Sequence, residues 1–268
     1  MDKGYLVMAM GEDYVLQACL LAMSIKKTQN IKNISLVTSD TVPDQYVSLF
    51  DKIIDVPWHD DKDSFYKTEH RWKAFHVTPY EETVVLDTDM LFLNDVSHWW
   101  KYFSTNDIGF LTQIRDYRNI KVEDKYYRKT FLANNIPNVY CAFHYFKKTD
   151  PALMYYKKLQ LICENYKDFY KVYVPKQMPQ VKSMDVNHSI CVLDSCLKNY
   201  TVYSANMVHM KSKLQGWSSP SDTWLDSVPF YVDEELNLKV GNYKQHGLFH
   251  YTDNKFCQRV IGLYNETY

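Results

Sequence analysis

The sequence predicts an α/β fold, a mostly parallel central sheet flanked by helices, in a single domain over residues 1–268. Three observations carry it: short apolar runs at GYLVMAM, ISLVTSD, KIIDVPW and TVVLDTD, helical spacing between them, and 46% hydrophobic residues in 268, enough to bury a sizeable core.

GYLVMAM, at Gly4–Met10, reads as a buried strand. A helix from Tyr14 to Lys27 follows, capped by Asp13, with Val15, Ala18, Cys19, Ala22 and Ile25 on one side and Lys26 and Lys27 at its end. Ile34–Asp40 and Lys52–Trp58 supply the second and third strands. Ser64–Val77 places Phe65, Glu69, Trp72 and His76 at helical spacing before Pro79 stops it, and TVVLDTD follows as a further strand. Strands alternating with helices make a parallel sheet. Later, Asp150-Pro151 is read as capping a helix whose core stripe is Ala152, Tyr155, Leu159 and Ile162. Asp185, read as an N-cap, starts another whose apolar side is Ile190, Leu193 and Leu197.

Composition removes several classes of function. The formal charge is -1, so no global field holds a polyanion or an anionic membrane. The apolar run Tyr5–Met10 is too short for a signal peptide and no stretch reaches spanning length, so a cytoplasmic protein is expected. The six cysteines include no CxxC pair and are expected as buried thiols. Seven glycines in 268 residues is well below the average usage of about 7%. With neither GxGxxG nor GxxxxGK[ST], no glycine loop is available to cradle a phosphate.

The stretch VVLDTDMLFLND supplies an alternative. Asp87 and Asp89, with Thr88 between them, end a hydrophobic strand at the edge where open α/β sheets bind ligands. Residues one apart on an extended chain point the same way, and two carboxylates that close repel unless a cation lies between them. Oxygen ligands suit Mn²⁺ or Mg²⁺ bridging a diphosphate.

The ordered features GYLVMAMGEDYVLQACLLAMSIKK, RWKAF, VVLDTDMLFLND, PNVYCAFHYFKK, MDVNHSICVL and HGLFHYTDNK resemble the GT-A fold glycosyltransferases, in their glycogenin-like and lipopolysaccharide galactosyltransferase-like branch. The resemblance implies a metal-dependent hexosyl- or pentosyltransferase that moves a sugar from a nucleotide-sugar, a UDP-sugar, to an acceptor hydroxyl with retention. It places Met8, Ala9, Met10 and Tyr14 around a uridine, Lys73 with Arg71 beside it against the donor, and Mn²⁺ (or Mg²⁺) on Asp87 and Asp89. Asn138 to Ala142 would line the sugar pocket, where the family's usual small residues are replaced, and Asp185 with Asn187 would correspond to the family's catalytic Asp-Gln pair. His250 would complete the metal site and Lys255 would contact the diphosphate; His246, or His209 with Lys211 nearby, are the alternatives. Residues 1–95 would then form the nucleotide-sugar half and 96–268 the half that binds acceptor and completes the metal site.

The acceptor stays open between a saccharide, a lipid-linked sugar, a protein side chain and a hydroxylated base in viral DNA. Basic and aromatic residues interleave over Arg115–Lys129 and Tyr155–Gln177, mixtures able to hold bases and phosphates. In the second stretch the lysines form the wet face of a helix. Loops at Tyr117–Asn135 and Lys213–Asp226 are expected as lids over the donor. Two rival classes remain: a sugar-phosphate nucleotidyltransferase, disfavoured because MAMGEDY is not a glycine-rich signature, and a degenerate transferase serving as a binding module, disfavoured by the presence of both aspartates.

Overall fold

A computed structural model describes residues 2–58, 69–122, 128–195, 197, 201–202, 207–210, 223–233, 235 and 237–265. Its main sheet takes strands β1 (Lys3–Met8), β2 (Ile34–Val37), β3 (Lys52–Ile54), β4 (Glu82–Leu86), β6 (Ile108–Leu111), β7 (Tyr140–Lys147) and β8 (Thr201–Val202), in the order β3-β2-β1-β4-β7-β6-β8. β3, β2, β1 and β4 run parallel, β7 is antiparallel to β4 and β6, and β8 is parallel to β6, so β7 is the reversed strand among those described in this sheet. Strands from beyond Asp95 thus complete the sheet begun before it.

Alternation along the central strands sorts the core into two clusters. Tyr5, Val7, Val84 and Leu86 turn to one, with the Glu12–Thr28 helix. Leu6 and Val85 turn to the other, with the helices Asp150–Glu164 and Met184–Asp194. Successive side chains on a strand face opposite ways, so strands covered on both faces read as continuous apolar runs. Each such side chain, fully buried, stabilises the fold by roughly 1.5–3 kcal/mol.

Two small sheets complete the strand set among the described residues. β5 (Met90–Phe92) pairs with β13 (Leu248–His250), which pairs with β9 (Met207–His209). β10 (Phe230–Val232), β11 (Leu238–Val240) and β12 (Tyr243–Lys244) form an antiparallel meander.

Several local expectations are corrected. The first helix begins at Glu12 with Gly11 as N-cap, not at Tyr14 with Asp13 as cap; Asp13 lies inside its first turn. Gly11 has φ 109° and ψ 147°, a conformation open to glycine, and its N–H donates to Asp40 Oδ2 at 2.6 Å. The segment before Pro79 is a 3-10 turn, Glu69–Lys73, running into a single α-turn, Ala74–Val77; the residues from Ser64 to Thr68 lie outside those described. Thr149 precedes the helix that starts at Asp150. Leu193 is 42% exposed and Leu197 lies past the helix end at Asp194, so Ile190 alone of that trio is a buried helical residue.

Cys19, Cys141, Cys163, Cys191 and Cys257 are buried free thiols, and Cys196 lies outside the described residues. Among the described residues, no helix is long and apolar enough to cross a membrane.

Candidate active site

β4 ends at Leu86, between β1 and β7, and the chain turns at its C-terminal end through Asp87, Thr88 and Asp89 into β5. The Asp87 N–H donates to Ala142 O at 2.9 Å, and Asp89 O accepts from the Tyr251 N–H at 3.0 Å. In the small sheet, Met90 faces His250 across β5 and β13, and His250 faces His209 across β13 and β9. This register sets the His250 ring beside the carboxylates: Nε2 is 2.9 Å from Asp89 Oδ1 and 3.9 Å from Asp87 Oδ2.

One ligand atom each from Asp87, Asp89 and His250 lies within 4.8 Å of the others. Two carboxylate oxygens and an imidazole nitrogen are a donor set for Mn²⁺ or Mg²⁺. The electrostatics fit a cation as well. Burial pushes the Asp87 carboxyl up despite Arg71, whereas Asp89, against the same burial penalty, is held down chiefly by His250. Burial disfavours the charged form of His250, but Asp89 and its hydrogen bond raise it above the ordinary value. The other face of the ring is fixed by His209, Nδ1 to Nδ1 at 3.0 Å with ring centroids 4.5 Å apart. His209 therefore stands behind His250, and His246 is exposed ahead of β13, at the end away from His250. Lys211 lies outside the described residues.

Arg71 projects from the 3-10 turn onto Asp87 Oδ1, with Nη1 3.3 Å from Cys141 Sγ. Tyr14, 37% exposed, borders the same carboxylates: partial burial, then Asp89, Asp13 and Asp87, push its phenol up. Met8 is half-buried, Ala9 is fully buried with its N–H on Val37 O at 2.9 Å, and Met10 is 9% exposed.

A second cluster lies on β7. Asp185, in the first turn of its helix, accepts from the Cys141 N–H at 2.7 Å and from the Arg128 guanidinium. Ser183 caps this helix, accepting from the Val186 N–H at 3.5 Å, so the reading of Asp185 as the cap is corrected. Arg128 also donates to Asn138 Oδ1 at 2.7 Å and to Val139 O, and lies between the rings of Phe131 and Tyr140, 3.8 and 4.0 Å from their centroids. Burial would raise the Asp185 carboxyl, but Arg128 and the Cys141 N–H hold it down at about 2.

Of the other predicted residues, Asn187, Thr88 and Lys73 point elsewhere. Asn187 turns into the core, where its Oδ1 accepts from Tyr170 OH at 2.9 Å and its amide lies 3.4 Å from Cys163 Sγ; a catalytic role is not what this placement supports. Thr88 Oγ1 donates to Gln17 Oε1 at 2.8 Å, toward the first helix. Lys73 is 2% exposed, with its ammonium on Pro57 O and, at 3.0 Å, on Trp58 O. Lys255 lies in the first turn of the Asn254–Asn265 helix with an exposed side chain, and its N–H donates to Asp253 Oδ1 at 2.9 Å. In the Arg115–Lys129 stretch, buried Asp116 holds Arg118 through Nε at 2.9 Å and Nη2 at 2.6 Å. Arg128 and the backing role of His209 went unread in the sequence, because neither carries a local pattern.

No family model matches the chain, and no curated protein matches it in sequence. Its fold is similar to solved structures. Mouse xyloside xylosyltransferase 1, in its apo form, is 12% identical with TM-score 0.53 over 95% of this chain and 99% of its own. The galactosyltransferase LgtC, in complex with donor and acceptor sugar analogues, is 14% identical with TM-score 0.52 over 98% and 96%. These likenesses support a GT-A glycosyltransferase fold for this chain.

Proposed function

We propose that the protein is a metal-dependent glycosyltransferase that moves a hexosyl or pentosyl group from a UDP-sugar to an acceptor hydroxyl with retention of configuration. The observation that carries this reading is the convergence of Asp87, Asp89 and His250 at the C-terminal edge of the central strand, beside Tyr14 and Arg71.

Asp87, Asp89 and His250 would hold Mn²⁺ or Mg²⁺, which supplies charge neutralisation for a departing nucleoside diphosphate. His209 orients His250, and a fixed outer partner of this kind keeps a ligating imidazole in one tautomer. Tyr14 offers a ring at the mouth for the nucleobase, and Arg71 brings a guanidinium to the leaving-group side. The Asp185 carboxylate, held at about 2, stays ionised and is a poor proton acceptor. An efficient general base titrates near the working pH. Asp185, with one oxygen on the Cys141 N–H and the other paired with Arg128, is thus not the base, and the departing phosphate oxygen is left to take the acceptor's proton. That division of labour is what favours retention.

The test is release of nucleoside diphosphate from a panel of nucleotide sugars with Mn²⁺ and with chelator. Metal-dependent release from one UDP-sugar supports the reading. Silence across the panel together with no metal-dependent binding of UDP overturns it.

A further inference from the structure

Lys73 has an unusual task. Its buried ammonium donates to two successive carbonyls, Pro57 O and Trp58 O, in the turn that leaves β3. Trp58 there adopts φ 49°, a left-handed conformation that bulky residues rarely take and that costs on the order of 1–3 kcal/mol. The result is an indole left 61% exposed and held parallel to Trp72, with centroids 6.1 Å apart and planes 4° from parallel. The His76 ring stands edge-on to both, at 5.6 and 6.3 Å. Hydrophobic burial cannot explain an indole that stays in solvent at the expense of backbone strain.

Position gives the platform a use. β3 is parallel to β2, β1 and β4, so the turn after it lies at the same sheet edge as Asp87 and Asp89. Trp72 directly follows Arg71, whose guanidinium touches Asp87. We propose that Trp58, Trp72 and His76 form a saccharide subsite, on which a neutral pyranose ring of the acceptor stacks while its hydroxyls meet the imidazole. The electropositive C–H face of a sugar ring complements the electron-rich face of an indole. A nucleic-acid strand would need a row of cations for its phosphates; beside this platform stand Lys73, engaged by carbonyls, and the exposed Lys157, and burial together with Lys157 shifts His76 toward neutral, so a single-stranded oligonucleotide is the competing ligand in the test.

The subsite deepens the transferase reading and rests on it for the word acceptor, so its test is made without donor or metal. Neutral oligosaccharides of the maltose, cellobiose and lactose types are titrated against the full chain by tryptophan fluorescence and saturation-transfer NMR. Metal-dependent UDP binding is measured in parallel. Trp58→Asn, which tolerates the left-handed turn, is expected to weaken saccharide binding about tenfold, Trp58→Phe to restore most of it, and UDP binding to match wild type in both. No saccharide bound across the panel, or equal binding by Trp58→Asn, overturns the subsite and leaves the transferase reading standing. Saccharide binding with no metal-dependent UDP binding keeps the subsite as a sugar site and removes the donor chemistry. Binding of single-stranded oligonucleotides in place of saccharides overturns the choice of ligand.

Discussion

His209 and His250 meet nitrogen to nitrogen, Nδ1 to Nδ1 at 3.0 Å, because β9 and β13 run parallel with these two residues in register. Only one proton fits between them. With no cation bound, His250 Nε2–H donates to Asp89 Oδ1 at 2.9 Å; a cation held with Asp87 and Asp89 would take the place of that proton while His250 keeps the Nδ1 proton that His209 accepts.

His209→Phe removes that acceptor and is expected to lower Mn²⁺ affinity by about 10–100-fold. His209→Gln, whose amide oxygen can accept, recovers part of the loss. Titration of Mn²⁺ followed by electron paramagnetic resonance reads both, and equal affinity in the Phe variant and wild type would show that His209 has no part in orienting the ligand.

Asp89→Ala is expected to abolish metal-dependent UDP binding while leaving the far-ultraviolet circular dichroism unchanged. Asp89 sits at a turn rather than inside a strand, and its backbone carbonyl, not its side chain, accepts from Tyr251. Calorimetric titration of UDP with Mn²⁺ checks it; wild-type affinity in this variant would place the cation elsewhere.

Arg128→Met leaves the Asp185 carboxylate without its ion-pair partner in a largely buried setting. Removing one member of a buried pair costs about 3–5 kcal/mol, and with the Asp185 side chain 23% exposed the expectation here is about 2–4 kcal/mol. Urea unfolding measures it. Adding Asp185→Asn to the same chain should return part of the loss, and strict additivity of the two changes would mean that the pair is not coupled.

His144 and His188 predict an acid limit to stability. Their rings lie 4.9 Å apart in the core, with His144 Nε2 on Tyr156 OH and His188 Nδ1 on Tyr155 OH. Burial holds His144 down at about 4, and burial with the neighbouring His144 holds His188 well below its ordinary value. Unfolded imidazoles titrate near about 6.5, so the unfolded chain binds more protons in this window. The contribution is full above about pH 6.5 and is lost as pH falls toward 4, with a slope of up to about 1.4 kcal/mol per pH unit for each ring. Urea midpoints at pH 7, 6 and 5 test it, with a shallower slope expected for His144→Gln; an unchanged slope would remove His144 from the account.

The legible parts of this chain were those written in neighbouring residues. VVLDTD announces a buried strand ending in two carboxylates, and both features stand where the pattern places them. Reading His250 as their partner needed the resemblance, since the strand pairing that unites them joins distant segments. Side-chain direction was the commonest gap. Asn187 lies two residues beyond Asp185, on a helix whose turn sends one toward β7 and the other into the core. Lys73 lies two residues beyond Arg71, and only the arginine reaches a carboxylate of the cluster. Asp13 lost the capping role because Gly11 takes the N-cap position and Asp40 binds the Gly11 N–H. The lid expectation at Lys213–Asp226 falls largely outside the described residues, as do residues 123–127 within the other loop.

The three-stranded sheet of β5, β13 and β9 also sets a moment in the life of the molecule. β5 follows the aspartates directly, whereas β13 arrives only after the whole of the main sheet has been synthesised. A nascent chain therefore displays two bare carboxylates long before it owns the imidazole that joins them. Cation capture becomes a property of the finished protein, and a ribosome-bound fragment ending short of residue 250 holds the parallel strands β1 to β4 without the third ligand.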